Sequence, residues 1–444
     1  METLAIFGGK PVRKKPFPAY RVIGSEEKRA VAHVLDSGIL SRFLGCWHKD
    51  FYGGPQIQAL EKEWANYFGA RYAVAVNSCT SGLYAAVGAA GIGPGDEVIV
   101  SPFTMSASAT AALVYGAIPV FADIEEDYFC LDPKSVEQKI TPRTKAIIVV
   151  DLFGLPYDAE AINKIARKHH LLVIEDCAQA PGALYKKKYA GTLADIGVYS
   201  LNYHKHIHCG EGGIVVTNNA QLAERTQLIR NHAEAVVADK KVKDISNMVG
   251  FNFRMTEIEA AITRCQLKKL KKLLKERQEN CRYLEHRLSQ IPCIVAPKMR
   301  PGCTHAYYVH PFKFKEEIAG FGRDIFIEAV KAELACTQLR EQEGVLISCG
   351  YVKPLYLQPM YQKRIAFGKK GFPFNSSASA KKVSYRQGIC PTAERVHNSE
   401  LFIHELMRSP MSRKDLSDVA TAFEKVWDCR KSLSKRYRAK NVKG

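Results

Sequence analysis

The residue best suited to covalent chemistry in this sequence is Lys205, which stands shortly before a glycine-rich turn, Gly210-Glu-Gly-Gly213. It follows an apolar run over 196–201 that predicts a buried strand. A lysine just past such a strand can be partly desolvated, which favours a neutral and nucleophilic amine. An isolated lysine is normally a solvated surface residue, so the chemical interpretation depends on its neighbours.

A carboxylate and an amide follow another predicted strand. Asp176 ends the run, and Gln179 comes three residues later. A carboxylate at a buried strand end can keep a cationic ring nitrogen protonated, and a nearby glutamine amide can donate to an adjacent oxygen. The same spacing also fits a helix-capping box, so both interpretations stay open.

Small hydroxyl residues join the first predicted strand to a helix in the segment Asn77 to Gly82, which contains Ser78, Cys79 and Thr80. Free N–H groups at the start of a helix, together with hydroxyl groups, form a ready site for a phosphate. Ordinary N-capping by Ser78 or Thr80 is the alternative.

The sequence contains two further polar patterns, one in a loop C-terminal to Lys205 and one immediately around Lys205. The loop 250–257, which contains Asn252, precedes a long predicted helix that Thr256 is placed to cap. Three histidines alternate around Lys205 as ligands on one strand face can: His204, His206 and His208. Because no carboxylate or paired-cysteine spacing accompanies them, we predict no metal site.

The first three patterns gain meaning from their combination. A phosphate cradle, an acidic partner for a ring nitrogen and a lysine able to form a Schiff base occur in this chain order. Three of the four patterns lie at ends of predicted strands, where open α/β sheets bind ligands. Together they describe a pyridoxal phosphate site.

With these motifs the chain resembles the DegT-type sugar aminotransferases, pyridoxal-phosphate enzymes of fold type I that aminate keto sugars or keto-cyclitols in amino-sugar biosynthesis. The resemblance runs from about Ile6 to Val426. Its most specific part is a lysine followed, after four residues, by Gly-Glu-Gly-Gly, here Lys205 and 210–213. It implies a transaminase that uses glutamate or glutamine, a nucleotide-linked or phosphorylated keto sugar or a keto-cyclitol as acceptor, and a homodimer with shared active sites.

The resemblance also implies a role for each residue. Lys205 would form the internal aldimine and shuttle a proton as general base and acid. Asp176 would pair with the pyridine nitrogen, and Gln179 would contact the phenolic oxygen of the cofactor. Asn252 would reach the phosphate of the neighbouring subunit. The phosphate of the chain's own cofactor would be bound by Ser78, the backbone of Cys79, Thr80 and Ser200.

Several positions depart from the family pattern. The usual glycine before the phosphate-site threonine is Cys79, and two further family residues are replaced by Cys177 and Pro181. The residue that stacks on the cofactor ring appears as Met105, so either Met105 or Phe103 would cover the ring. None of these changes removes a catalytic group.

The substrate side of the site is less defined by sequence. We predict Arg230 and His232 as substrate contacts. The segments Arg42 to Tyr52 and Tyr351 to Tyr361 are candidate walls of the substrate site, or alternatively surface loops packed on the neighbouring subunit.

One alternative reaction is dehydration, which a family branch with histidine in place of the lysine performs. Here the spacing places Lys205 in that position. A non-catalytic regulatory or nucleic-acid-binding protein on the same fold is the other alternative.

Seven apolar runs separated by turns or helical patterns supply the elements that must position these residues. They occupy 72–77, 97–101, 118–123, 145–151, 171–175, 196–201 and 213–217. Near-continuous apolar runs are typical of strands buried on both faces of a mostly parallel sheet. The predicted fold class is therefore α/β, with a mostly parallel seven-stranded sheet flanked by helices, as in a fold type I aminotransferase.

After a long amphipathic helix from Thr256 to about Leu288, the pattern changes to shorter elements. It predicts strands over 306–314 and 345–352, a helix around 324–335 and a final helix from 414 onward. We predict a large cofactor-binding domain over 1–290 and a smaller C-terminal α+β domain over 291–444. The tail from Lys425 is basic, with eight Lys or Arg residues. We interpret it as a solvated helix end.

Composition narrows the class of protein. The 444 residues carry a net charge of +19, which makes anionic partners plausible without choosing among them. The thirteen cysteines are scattered and contain no Cys-x-x-Cys pair, as expected of reduced thiols. With no signal peptide pattern or apolar run of spanning length, we expect a cytoplasmic enzyme without nucleic-acid or membrane partners.

Overall fold

The computed structural model describes residues 3–441, with the backbone alone for 378, 379 and 436–441. The helices of this part are α1 Ser25–Ser37, α2 Pro55–Phe68, α3 Cys79–Ala89, α4 Ala107–Val114, α5 Pro133–Lys139, α6 Ala159–His169, α7 Ala220–Arg230, α8 Glu257–Leu288, α9 Glu316–Ala319, α10 Arg323–Ala332, α11 Pro359–Gln362, α12 Ala378–Lys382, α13 Pro391–Arg395, α14 Arg413–Asp428 and α15 Arg430–Asn441. The strands are β1 Tyr72–Val76, β2 Glu97–Val100, β3 Ile118–Phe121, β4 Thr144–Val150, β5 Leu172–Asp176, β6 Leu184–Tyr185, β7 Lys188–Tyr189, β8 Ile196–Ser200, β9 Gly213–Thr217, β10 Ile294–Val295, β11 His310–Phe314, β12 Ile347–Cys349 and β13 Leu401–His404.

A seven-stranded sheet in the order β1-β9-β8-β5-β4-β2-β3 forms the centre of the molecule. The strands from β8 to β3 run parallel, and β9 is antiparallel to both of its neighbours. All seven strands predicted from the sequence are confirmed. The apolar runs identify them correctly because almost every residue in them is buried, whichever face it points to.

The long predicted helix is confirmed as α8, and Thr256 caps it. The Thr256 hydroxyl accepts the N–H of Glu259, whose carboxylate in turn accepts the N–H of Thr256, which forms a capping box. The buried face of α8 packs against α1, α2 and α14. Glu27 of α1 is anchored there by Lys269 Nζ at 2.6 Å, and α8 thereby connects the N-terminal helices to the C-terminal region.

A smaller antiparallel sheet in the order β10-β11-β13-β12 lies in the C-terminal region. Its apolar residues form a second core with α10 and α14. The sequence pattern predicts β11, β12, α10 and α14, and the structure contains them. The pattern does not predict β10, whose two residues are too few for a periodic pattern, or β13.

Contacts cross residue 290, the predicted boundary between the two domains. The boundary itself stays a prediction. Leu4 and Phe17 from the N-terminal segment are buried in the second core rather than in the first. In the opposite direction, aromatic residues of the segment 351–385 are buried in the core of the large sheet. A segment of each region is therefore packed in the core of the other.

No helix within residues 3–441 has the length and apolarity needed to cross a membrane. The last three residues of the basic tail, 442–444, lie outside the described residues.

Gly197 of β8 marks a close approach of two backbone segments. A Cβ atom added at this position would lie 1.9 Å from the carbonyl oxygen of Gly191. No side-chain rotation can relieve such a contact, because the obstructing atom belongs to the main chain.

We therefore expect Gly197→Ala to lower the free energy of unfolding by about 1–3 kcal/mol or more, measured by denaturant titration. Gly93→Ala is the matched control, since nothing lies within 4 Å of its added Cβ, and its effect should stay within about 0.5 kcal/mol. Equal unfolding midpoints for the two variants would contradict this account of the β8 contact.

Candidate active site

The register of four neighbouring strands gathers the predicted residues at one edge of the sheet. Val76 at the end of β1 pairs with Gly213 at the start of β9, and Gly213 also pairs with Ser200 at the end of β8. Asp176 ends β5, the next strand along. Lys205 follows Ser200 by five residues, so the predicted groups meet at the carboxyl edge where parallel sheets bind ligands.

The phosphate motif forms the start of α3. Ser78 caps this helix, and its Oγ accepts the N–H of Ser81 at 3.0 Å. The N–H groups of Cys79 and Thr80 belong to the first turn and have no acceptor within the helix. A Cβ added at Gly213 would lie 2.7 Å from the Cys79 nitrogen, so glycine lets β9 pass directly beside this turn. Ser78 therefore caps α3, and the same helix end still offers free N–H groups to an anion.

Asp176 is a buried carboxylate with a defined set of donors. Its Oδ2 accepts the Ser108 hydroxyl of α4 at 2.7 Å, and its Oδ1 accepts the N–H of Ala178 at 3.1 Å. Burial raises the pKa of Asp176, while these hydrogen bonds and the charge of Lys205 act in the opposite direction. Turns rather than a helix follow over 177–183, so the capping-box alternative is wrong.

Both polar atoms of the Gln179 side-chain amide form hydrogen bonds. Its Oε1 accepts the N–H of Phe153 at 2.7 Å, and its Nε2 donates to the Tyr351 hydroxyl at 3.1 Å. An amide nitrogen carries two N–H bonds, so one of them is left for an oxygen of a ligand. The contact also brings part of the predicted wall Tyr351 to Tyr361 to the site, whereas Tyr356 and Tyr361 themselves lie in the core.

Lys205 is only 8% exposed. Its Nζ lies 4.1 Å from the centre of the Tyr308 ring, and among the described residues no carboxylate forms a salt bridge with it. Burying an ammonium group without such a partner is unfavourable. The amine therefore suits a role in which it is linked covalently to a ligand.

Met105 and Phe103, the alternatives for covering a cofactor ring, have different surroundings. Phe103 is fully buried and packs edge-on against Phe153 and Tyr351. Met105 is 55% exposed and precedes α4, whose Ser108 contacts Asp176. Of the two, Met105 has the free surface that stacking requires, and its role stays a prediction.

Asn252 and His232 lie on the outer side of the site. The backbone oxygen of Asn252 accepts the side-chain amide of Asn77 at 3.4 Å, while its own side chain is exposed. His232 has a half-exposed side chain beside Gly45 of the segment Arg42 to Tyr52. Both side chains are accessible to a ligand or a second subunit, and His232 Nδ1 also lies 3.7 Å from Glu234 Oε1.

The placement of Arg230 argues against the predicted substrate contact. Its side chain is completely buried, and its Nη1 donates to Glu61 at 2.6 Å and to the carbonyl oxygen of Ala75 at 3.0 Å. Burial raises the pKa of Glu61, an effect that the charge of Arg230 opposes. Arg230 is therefore a structural partner beneath β1 rather than a wall of the substrate site.

The three histidines around Lys205 lie in different surroundings. His206 is buried with its Nε2 2.8 Å from the Ala306 oxygen, and burial lowers the pKa of His204, His206 and His208. Within the described part of the chain, no group of three His, Cys, Asp or Glu side chains is arranged to hold a metal ion.

The sequence pattern does not predict Ser108 or Tyr308 as site residues, and it includes Tyr351 only as part of a candidate wall of the substrate site. Ser108 binds Asp176, Tyr308 lies against Lys205, and Tyr351 binds Gln179. Each is separated from its partner by 68 or more residues, and none belongs to a motif with recognisable spacing. No signal in the sequence could have predicted these three contacts.

These residues fit pyridoxal phosphate. Asp176, buried with neutral donors, suits a protonated ring nitrogen, and the free N–H of Gln179 suits a ring oxygen. The start of α3 with Ser200 suits the phosphate, and Lys205 suits covalent attachment. The fold and site thus define a pyridoxal-phosphate enzyme of fold type I.

Comparison with known proteins gives the family. The model of the DegT/DnrJ/EryC1/StrS aminotransferase family matches residues 23–387, and the chain belongs to this family. It is therefore an aminotransferase whose cofactor is pyridoxal phosphate.

Individual relatives agree with this assignment. The chain is 34% identical to the spore coat polysaccharide biosynthesis protein SpsC of Bacillus subtilis over 79% of this chain and 87% of that protein. It is 31% identical to L-glutamine:scyllo-inosose aminotransferase of Streptomyces griseus over 98% and 99% of the two chains. An aminotransferase structure from Psychrobacter cryohalolentis superposes with a TM-score of 0.77 at 27% identity, covering 93% of this chain and 99% of the other.

The contrast between Arg230 and His232 can be tested by substitution. Arg230→Met should lower the free energy of unfolding by about 3–5 kcal/mol, because it leaves the Glu61 carboxylate buried without its partner. His232→Ala should change it by less than about 0.5 kcal/mol. Denaturant titrations of both variants check this, and a stable Arg230→Met protein would contradict the structural role.

A second prediction concerns Glu175, which neighbours Asp176 in β5 and accepts the N–H groups of Gly191 and Leu193. Burial raises its pKa from 4.5 to about 7, and burial beside Glu175 also raises the pKa of Asp151. The folded protein thus keeps protons that the unfolded chain releases between pH 4.5 and about 7. The free energy of unfolding should decrease as pH rises through this window.

Glu175→Gln should reduce that slope by up to about 1.4 kcal/mol per pH unit, measured by denaturant titration at several pH values. Glu160→Gln, at a side chain that is 65% exposed, is the control and should keep the wild-type slope. An unchanged slope in Glu175→Gln would show that this carboxyl does not carry the proton.

Proposed function

We propose that the enzyme transfers an amino group from glutamate or glutamine to the ketone of a keto sugar or keto-cyclitol. The observation that carries this proposal is the meeting of Lys205, Asp176 and the start of α3 at one sheet edge. The relatives support the choice of substrates, since they include L-glutamine:2-deoxy-scyllo-inosose aminotransferase and GDP-perosamine synthase.

Each protein group has a distinct task in this reaction. Pyridoxal phosphate, when bound, supplies an electron sink for the carbon that loses its proton. Lys205 takes the proton from the α-carbon of the donor and later returns one, as general base and acid. Asp176 keeps the ring nitrogen protonated, and Ser108 orients Asp176 for this purpose.

The polar groups at the other end of the site bind rather than react. The N–H groups at the start of α3, with Thr80 and Ser200, hold the phosphate. The exposed His232 and the segment Arg42 to Tyr52 contact the acceptor. The net charge of +19 favours an anionic acceptor such as a nucleotide-linked or phosphorylated sugar.

We further propose a homodimer in which Asn252 reaches the phosphate of the partner subunit. Several apolar side chains in the segments next to Asn252 are exposed: Leu40, Leu44, Trp47, Ile245 and Val249. Apolar residues concentrated in this way mark an interaction surface. A second copy of the chain would cover them and bring its own Asn252 to the site.

The proposed location is the cytoplasm. All thirteen cysteines are free thiols, and seven of them are buried. Proteins with many unpaired cysteines are typical of reducing compartments.

The proposed function is tested by the spectrum of the purified protein with pyridoxal phosphate. A visible band should form that diminishes when glutamate or glutamine is added. Borohydride reduction followed by peptide mapping should locate the cofactor on Lys205, and Lys205→Ala should lose both the band and the label. Lys275→Ala, at a side chain that is 77% exposed, should behave as wild type.

The absence of a band in the wild type, or a label on another lysine, would overturn the assignment of Lys205. A band that responds to neither amino acid would overturn the proposed donor.

A further inference from the structure

The chain between Glu343 and Glu394 is a long segment of purely positive charge. It contains eight Lys or Arg residues and no Asp or Glu, although the whole chain has 45 acidic residues among 444. Arg364 is used within the segment, where its guanidinium donates to the carbonyl oxygens of Val383 and Ala380. The remaining cations of the segment have no acidic residue within it to neutralise them.

Five lysines bring this charge to the surface. All are exposed, and none forms a salt bridge with an acidic side chain in the part of the chain that the structure describes: Lys363, Lys369, Lys370, Lys381 and Lys382. Lys382 also lines a cleft of about 300 Å³ together with Lys139 and Arg143 of the large-sheet region. The acid in that lining, Glu97, is buried and accepts from Arg143 Nη2 at 2.6 Å. The positive surface therefore extends beyond the segment.

Apolar side chains flank two of these lysines in residues 365–372, which we call the 365–372 hairpin. The N–H of Phe367 donates to the carbonyl oxygen of Phe372 at 2.9 Å, and the turn between them carries Lys369 and Lys370. Three large apolar side chains of the hairpin are 42–47% exposed: Ile365, Phe367 and Phe372. The hairpin therefore presents cations and apolar groups side by side.

The base of the 365–372 hairpin is anchored in the protein. Tyr361 before it and Phe374 and Tyr385 after it are buried in the core of the large sheet. The Tyr385 hydroxyl also donates to the carbonyl oxygen of Pro119 in β3 at 2.8 Å. Because the support is fixed, the apolar side chains of the hairpin stay at the surface, and clustered exposed apolar groups mark an interaction site.

The 365–372 hairpin lies at the edge of the sheet opposite to the active site. A Cβ added at Gly116 would lie 2.8 Å from the Phe372 ring and 3.2 Å from Pro94. Gly116 and Pro94 precede β3 and β2, so the hairpin is beside the starts of these parallel strands, whereas the site lies where such strands end. A partner on the hairpin leaves the site open, and the second copy proposed at Asn252 leaves the hairpin uncovered.

We propose that the 365–372 hairpin docks the protein on an anionic lipid surface. Lys369 and Lys370 extend to the negative headgroups, while Ile365 and Phe367 enter the boundary between headgroups and acyl chains. Lysines at such a surface and buried apolar area both add to binding. The proposal replaces the expectation from composition that the protein has no membrane partner, and it is independent of the proposed reaction.

A lipid surface fits the hairpin better than a nucleic acid does. Single-stranded nucleic acids bind along basic grooves in which aromatic rings stack on bases. Here the lysines stand on a tight turn rather than along a groove, and Ile365 has no ring that could stack on a base. Aliphatic and aromatic side chains serve equally well in lipid.

The test measures binding of the purified protein to vesicles by flotation. One set of vesicles contains phosphatidylcholine alone, and the other contains equal parts of phosphatidylcholine and phosphatidylserine. The wild type should bind the anionic vesicles about 10-fold or more tightly than the neutral ones. This preference should weaken when the salt concentration rises from about 0.1 M to about 0.5 M.

Two double variants separate the charge of the hairpin from the charge of the whole protein. Lys369→Gln with Lys370→Gln should weaken binding to the anionic vesicles by about 30-fold, since each lysine at the surface contributes about 5-fold. Lys268→Gln with Lys271→Gln is the matched control, because it removes the same charge from exposed positions of α8. It should change the binding by less than about 3-fold.

The apolar contribution is tested without any change of charge. Ile365→Ser with Phe367→Ser should weaken binding to the anionic vesicles by about 10-fold or more. Ile318→Ser in α9, where the isoleucine is 43% exposed, should bind as the wild type does. If the apolar variant fails to fold, the lysine variant at the exposed turn still decides the question.

Several results would overturn the proposal. Equal binding to neutral and anionic vesicles would do so, as would binding that folded hairpin variants leave unchanged. Hairpin-dependent binding of single-stranded DNA or RNA without vesicle binding would favour a nucleic-acid partner instead. Hairpin-dependent self-association without vesicle binding, measured by analytical ultracentrifugation, would favour a second copy of the chain. The label on Lys205 does not enter these measurements, so the proposed function and the lipid contact fail separately.

Discussion

The burial of a single carboxylate, Asp176, is the constraint on which the site depends. A carboxylate removed from water is stable only when donors or a cation satisfy it. Ser108 from α4 and the N–H of Ala178 supply two donors, and Lys205 contributes charge across the site. Because these groups come from different elements, satisfying the acid fixes α4, the turn after β5 and the lysine loop relative to one another.

The alternation of side chains along β5 gives its two faces different tasks. Glu175 points away from Asp176, and it holds the turn at Gly191 and Leu193 through their N–H groups. Gly197 lets β8 pass directly against that turn. One face of the strand thus carries chemical groups, while the other carries buried contacts that keep the strand end in place.

Groups from both ends of the chain complete the site. Tyr20 of the N-terminal segment donates to the backbone oxygen of His206, and Tyr351, from the segment that returns to the large core, binds Gln179. The N-terminal segment is itself packed in the second core through Phe17. Segments packed in both cores therefore contact residues of the site.

The sequence determined the central sheet, the long helix and the motif residues at the sheet edge. Buried strands occur in the sequence as continuous apolar runs. Lys205, Asp176 and Ser78 each belong to a short motif whose spacing identifies them as candidate site residues. The sequence also suggested a substrate contact at Arg230, which the structure instead buries at the end of α7 against Glu61. Only the tertiary structure decided that Arg230 lies beneath β1, that Ser108 binds Asp176 and that Tyr308 lies against Lys205. Contacts between residues far apart in the chain arise from packing of the completed elements, and local sequence patterns do not encode them.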